Sequence, residues 1–215
     1  MNRRWSRREI LRRSAALGAA AAAAVPGSVL AQAARAAPYA NLTAAEAATL
    51  EALVARLIPN DANGPGALEA GAARYIDGAL GNALAAQRPA YAAGLAALDA
   101  YARSRGSASF AALSPERQDE LVGDLEANRA PGFVPSSAAF FELVLGHTLE
   151  GTFGDPHYGG NQDFIGWELI GYPGLRLAVT AEQQRMDAKL EPLHSSAYDH
   201  AQFDEHTTAG ERDGD

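Results

Sequence analysis

Apolar residues recur at helical spacing in five stretches separated by glycine, proline and polar loops. Thr43-Ala44-Ala45-Glu46 forms a capping box, and Leu50, Leu53, Val54, Leu57 and Ile58 then share one helical face up to the stop at Pro59. Asn60 to Gly66 carries turn chemistry. A second pattern through Tyr75, Ile76, Ala79, Leu80 and Leu84 closes near Arg88-Pro89, and Tyr91, Leu95, Leu98 and Ala102 mark a third helix ending at Gly106. Ser114-Pro115-Glu116 starts a fourth, with Ser as N-cap and Pro in the first turn, running to about Asn128 with Leu121, Val122 and Leu125 inward. Ser136 or Ser137 caps a fifth, which turns Phe140, Phe141, Val144, Leu145, Thr148 and Leu149 toward the core. No stretch alternates apolar and polar positions with β-branched enrichment. The pattern therefore predicts an all-α, compact, helical bundle-like domain.

The stretch from Gly151 to Gly174 breaks this pattern. Seven of its 24 residues are glycine, and Phe153, Tyr158, Phe164, Trp167 and Tyr172 lie among them. Glycine permits positive φ and close backbone approach, while the rings supply large apolar area, so a long loop pinned by aromatics is expected. Two roles fit such a loop: a structural cap on the bundle, or a recognition surface. Tyr158, Trp167 and Tyr172 are the leading anchors in the second case.

The two ends of the chain differ from the domain between them. Residues 1–31 have a basic part, an uncharged alanine-rich run from Ser14 to Val25, and a break at Pro26-Gly27-Ser28. This is the layout of an export signal, with cleavage expected after Ala31 or, further on, after Ala33 or Ala36. Ser6-Arg7-Arg8-Glu9-Ile10-Leu11-Arg12 resembles the twin-arginine signal, whose motif rests on Arg7 and Arg8. That resemblance implies a periplasmic cargo that crosses the membrane already folded, through the twin-arginine translocase. The apolar run is too short to span a hydrocarbon core of roughly 30 Å as a helix. Residues 32–190 hold the domain. Beyond Lys189 the periodicity fails, and residues 191–215, with His194, His200 and His206 among acids, are expected to form a solvated, disordered tail.

Charge and chemistry narrow the function. The whole chain carries 18 Lys and Arg against 26 Asp and Glu, and removal of residues 1–31 leaves 12 bases against 25 acids. Such a balance excludes nucleic acid as a partner, since that affinity rests on clustered cations. There is no cysteine, hence no disulfide, thiolate metal site or Cys nucleophile. His147 and Glu150 share a helical face, and Asp155 and His157 follow, making a loose set of candidate metal ligands. The set lacks the second Glu and the Glu-x-x-His that a di-metal helical site requires, so a hydrogen-bonded His is the plainer reading. No Gly-x-Ser-x-Gly, P-loop or dinucleotide fingerprint is present. No catalytic, cofactor or metal residue is assigned, and the chain by itself does not read as an enzyme.

The run Gly154-Asp155-Pro156-His157-Tyr158-Gly159-Gly160-Asn161-Gln162-Asp163, continued by Gly166-Trp167-Glu168-Leu169-Ile170-Gly171-Tyr172-Pro173-Gly174, resembles the signature of the gluconate 2-dehydrogenase subunit 3 family. Leu57-Ile58-Pro59-Asn60-Asp61, Gly64-Pro65-Gly66-Ala67 and His147-Thr148-Leu149-Glu150-Gly151 extend the likeness upstream, so that it spans about Thr43 to Gly174. The resemblance implies a small, non-catalytic subunit of a periplasmic sugar or sugar-acid dehydrogenase. A large partner subunit would carry FAD and the chemistry, and a multihaem cytochrome c subunit would pass electrons onward. It also implies that the large subunit, lacking a signal of its own, is exported bound to the small one. The alternative is a stand-alone periplasmic module that holds a metal through His147, Glu150, Asp155 and His157.

Overall fold

The computed structural model describes residues 38–200. Among these are six α-helices and no strand: α1 (Ala44–Leu57), α2 (Ala72–Leu80), α3 (Arg88–Ser104), α4 (Pro115–Glu126), α5 (Ser137–Phe153) and α6 (Ile165–Leu169). The expected all-α, bundle-like architecture is the one observed. No helix among the described residues is long and apolar enough to cross a membrane. Arg7 and Arg8, with the rest of the expected signal, lie outside the described residues, as do residues 201–215.

Helix α5 is central and packs against α1, α2, α3, α4 and α6. Its sequence is apolar almost all round, as a helix enclosed by neighbours must be. Around it Leu50, Leu53 and Val54 of α1, Ile76 of α2, Leu95 and Leu98 of α3, and Leu121 and Leu125 of α4 are fully buried. Each contributes roughly 1.5–3 kcal/mol relative to exposure. Gly94 sets the crossing of α3 and α5, since a Cβ there would meet the Phe140 ring at 2.1 Å. Leu149, expected inward, is instead 43% exposed. It stands one residue, about 100° of helix, on from the fully buried Thr148.

Local signals placed most helix ends. Thr43 caps α1 in a reciprocal box with Glu46, which also accepts from Arg88 at 2.7 Å. Ser136 caps α5 by accepting from Ala139 N–H. Arg88-Pro89 does not close the second helix as expected. It opens α3 with Pro in the first turn, after a 3₁₀ turn over Ala85–Gln87 has ended the previous segment. Pro is tolerated there because the N–H it lacks has no intrahelical partner anyway. The buried Asp77 carboxylate accepts from the N–H groups of Ala40, Asn41 and Leu42, which fixes the start of the described domain on α2.

Candidate functional site

The Gly/aromatic stretch is built largely from short helical turns. Helix α5 overruns into it as far as Phe153, and Asp155 caps a 3₁₀ turn over Pro156–Tyr158. A second 3₁₀ turn, Gln162–Phe164, leads into α6. Asn161 holds these pieces together. It is fully buried, its Nδ2 donates to Gly154 O at 2.9 Å, and its Oδ1 accepts from Gly166 N–H at 2.8 Å. Its own N–H donates to Gly151 O at 2.7 Å, and the next residue, Gln162, donates to Ala70 O ahead of α2. Two glycines are dictated by contact. A Cβ at Gly160 would lie 2.1 Å from Gly151 O, and one at Gly166 would lie 1.8 Å from Thr152 O. Asn161, Asp163 and Phe164 all adopt positive φ, a conformation that costs a non-glycine residue about 1–2 kcal/mol. Three such residues within four positions persist only because the surrounding hydrogen bonds over-determine them.

The three aromatic anchors expected from sequence separate into two kinds. Trp167 is 7% exposed, donates its indole N–H to Phe153 O at 2.9 Å, and contacts the rings of Phe164 and Tyr172. It is the core of the loop. Tyr158 and Tyr172 are exposed, and so is Ile170, at 59%. Leu177, Val179 and Leu193 are exposed further along the chain. Exposed apolar side chains thus concentrate in and after the loop.

Residues 193–200 turn back over the loop, contrary to the expectation of a solvated tail beginning at 191. Leu193 N–H donates to Pro173 O at 3.1 Å, and a Cβ on Gly174 would lie 2.2 Å from Leu193 O. Asp155 accepts from Ser196 Oγ at 2.6 Å and from Ala197 N–H at 2.8 Å. The His157 ring stacks on Tyr198 at 3.8 Å, and the Tyr158 and Tyr198 hydroxyls share a hydrogen bond. His194 stacks on Phe164 at 4.9 Å and places Nε2 3.2 Å from Glu168. Burial pushes the Asp155 carboxyl upward, but the hydrogen bonds from Ser196, Ala197 and His157 outweigh it and hold the group below the usual carboxylate range. Sequence reading missed Asn161 and Ser196. The second had a readable signal, since Ser196 and Asp199 form a capping box.

His147, Glu150, Asp155 and His157 do not converge. His147 Nδ1 lies 2.9 Å from the Tyr91 hydroxyl, and burial holds its imidazole below the usual value against the opposing pull of Glu150. Glu150 accepts from the Tyr75 hydroxyl at 2.8 Å, and burial together with Glu150 raises that tyrosine to about 12. Asp155 and His157 serve the turn and the returning chain. Among the described residues, no group of three or more His, Asp and Glu is placed to share a metal ion.

What the arrangement offers is a surface. Between the loop and the returning chain lies an open groove of about 360 Å³, walled by Trp167, Ile170, Tyr172 and Ala197 and bordered by Asp155. The chain is matched over residues 44–174 by the family described as Gluconate 2-dehydrogenase subunit 3. No curated protein and no solved structure matches it.

Proposed function

Because the chain belongs to the gluconate 2-dehydrogenase subunit 3 family, we propose that it is the non-catalytic small subunit of a periplasmic, flavin-dependent sugar or sugar-acid dehydrogenase. Membership makes it an accessory subunit of a dehydrogenase complex. On our reading the FAD and the oxidation chemistry reside in a large partner subunit, and a multihaem cytochrome c subunit takes the electrons. The small subunit supports folding of the large one and carries it through the twin-arginine translocase by means of Arg7 and Arg8.

The observation that carries this reading is the match itself, which runs from the first residue of α1 to the last glycine of the aromatic loop. Two features support it. The loop is locked by Asn161 into a conformation that costs free energy, which is expected of a functional surface rather than a linker. It also displays Tyr158, Ile170 and Tyr172, residue types suited to anchoring a protein partner. The competing metal-module reading finds no convergent donor set among the described residues.

Export separates this function from a simple structural role. Replacing Arg7 and Arg8 with Lys is expected to retain both this chain and the flavoprotein subunit in the cytoplasm, read by fractionation and immunoblot. Arrival of the flavoprotein in the periplasm of that strain would refute the escort role.

A further inference from the structure

The groove between the loop and the returning chain has a composition that specifies its occupant. It is lined by the aromatic residues Phe153, Trp167 and Tyr172, the aliphatic residues Ile170, Leu175 and Ala197, and one charged residue, Asp155. Its volume of about 360 Å³ stands at the small end of the range for ligand pockets, roughly 300–1,000 Å³, and suits one long side chain or two short ones. Asp155 accepts three hydrogen bonds within the chain, from His157 N–H, Ser196 Oγ and Ala197 N–H. A carboxylate offers about four acceptor positions, so one remains for an incoming donor.

A purely apolar occupant would cover the fourth acceptor position of an ionised carboxylate and leave it empty, which is unfavourable. An acidic occupant would be repelled. An arginine satisfies every wall: its methylenes lie along aliphatic surface, its planar guanidinium stacks on rings, and an N–H reaches a carboxylate. Lysine matches the charge but is more strongly hydrated and lacks the planar face. The surrounding charge favours the same sign, because residues 151–200 hold seven acids against three bases, with Asp163, Glu168 and Asp199 exposed. Resting on the reading of this chain as the small subunit of a flavin-dependent dehydrogenase, we infer that the groove is a docking seat for an arginine side chain of the FAD-carrying subunit. The returning segment then contributes one wall of the seat, through Ala197. It lies beyond residue 174, where the family match ends, and Asp155 both holds it in place and faces the guest.

Charge substitutions at Ile170 test this with the full chain and the FAD-carrying subunit, by titration calorimetry at low and high salt. Ile170 is 59% exposed, so either charge is compatible with folding, which circular dichroism checks. Ile170→Lys is expected to weaken binding by about thirtyfold, the scale of a lost central anchor. Ile170→Asp loses the same apolar contact but adds a second carboxylate for the guanidinium, so it is expected to weaken binding at least about fivefold less than Ile170→Lys, and raising the salt should weaken the wild-type complex. Ala197→Phe, which fills the groove without altering charge, should weaken binding as much as Ile170→Lys. Equal losses for Ile170→Lys and Ile170→Asp would mean an apolar guest and overturn the arginine seat. Unchanged binding by all three variants would remove the groove from the interface while leaving the subunit function standing. A wild-type chain that does not bind the flavoprotein would refute the function itself, and the seat with it.

Discussion

Asn161→Ala should loosen the loop while sparing most of the helical bundle. The substitution removes the acceptor for Gly166 N–H, a buried bond of 2.8 Å, and the donor to Gly154 O at 2.9 Å. Leaving the buried N–H unsatisfied costs about 1–3 kcal/mol, and the lost bond to the carbonyl adds about 1 kcal/mol. Position 161 has φ of 43°, where Ala is less at ease than Asn by up to about 1 kcal/mol. The sum is about 2–5 kcal/mol, a large share of the roughly 5–15 kcal/mol that stabilises a typical domain. Trp167 packs inside the loop and is the only tryptophan left once residues 1–31 are removed, so its fluorescence reports the loop alone. In a urea titration of chain 32–215, with about 2 kcal/mol per molar as the slope, the fluorescence midpoint should fall by about 1–2.5 M. The circular dichroism transition should move less, because α1–α4 make their own core contacts. Fluorescence and dichroism midpoints both within about 0.3 M of wild type would refute the role given to Asn161.

Two further outcomes follow from packing and from charge. Gly94→Ala and Gly123→Ala should move the melting temperature in opposite directions. A Cβ at position 94 strikes the Phe140 ring at 2.1 Å, an overpacking cost of about 1–3 kcal/mol that exceeds the helix-propensity gain, whereas a Cβ at 123 meets nothing within 4 Å and keeps that gain of roughly 0.5–1 kcal/mol. A rise in melting temperature for Gly94→Ala would contradict the α3–α5 crossing. Stability should also fall on mild acidification. His147 is held below its unfolded value of 6.5, so the folded state resists a proton that the unfolded state accepts. The stability that comes from keeping it neutral is complete above that value and is lost as pH falls through it. Glu46 and Asp155, also lowered, add a second loss at more acid pH, below their ordinary carboxylate values. Melting temperature measured from pH 8 to pH 4 should be level above about 7 and decline below. No change between pH 7 and pH 5 would contradict the half-buried His147 whose imidazole resists protonation.

Most of the helical framework was legible because its signals are local. The Thr43–Glu46 box, the stop before Pro59, Pro115 in the first turn of α4 and Ser136 need only a few neighbouring residues to act; Ser114 takes the N-cap position without a side-chain capping bond. Arg88-Pro89 misled because proline before a periodic run and proline after one look alike, and only the 3₁₀ turn at Ala85–Gln87 decides between them. Leu149 misled because α5 is apolar on nearly every side, so its pattern does not say which face lacks a neighbour. The loop's composition announced a tight structure but not its keystone. Asn161 acts through bonds to Gly154 and Gly166, and its burial depends on how the two 3₁₀ turns close around it. Trp167 could be read as core or as anchor from sequence, and only its bond to Phe153 O resolves the choice. The contact between the returning segment and the loop was invisible for a different reason. Ser196, Ala197 and Tyr198 reach residues about 40 positions upstream, and no periodicity encodes such a contact.

On the proposed function, this chain binds and accompanies a flavin-carrying dehydrogenase subunit. The most direct measurement is isolation of the chain from its native periplasm under mild conditions, followed by mass spectrometry and a visible absorbance spectrum of what comes with it. One large subunit is expected with the chain, carrying a flavin spectrum that stays with that subunit, and is absent from this chain, once the two are separated. Recovery of the chain alone, or of a flavin spectrum that stays with this chain after separation, would contradict it.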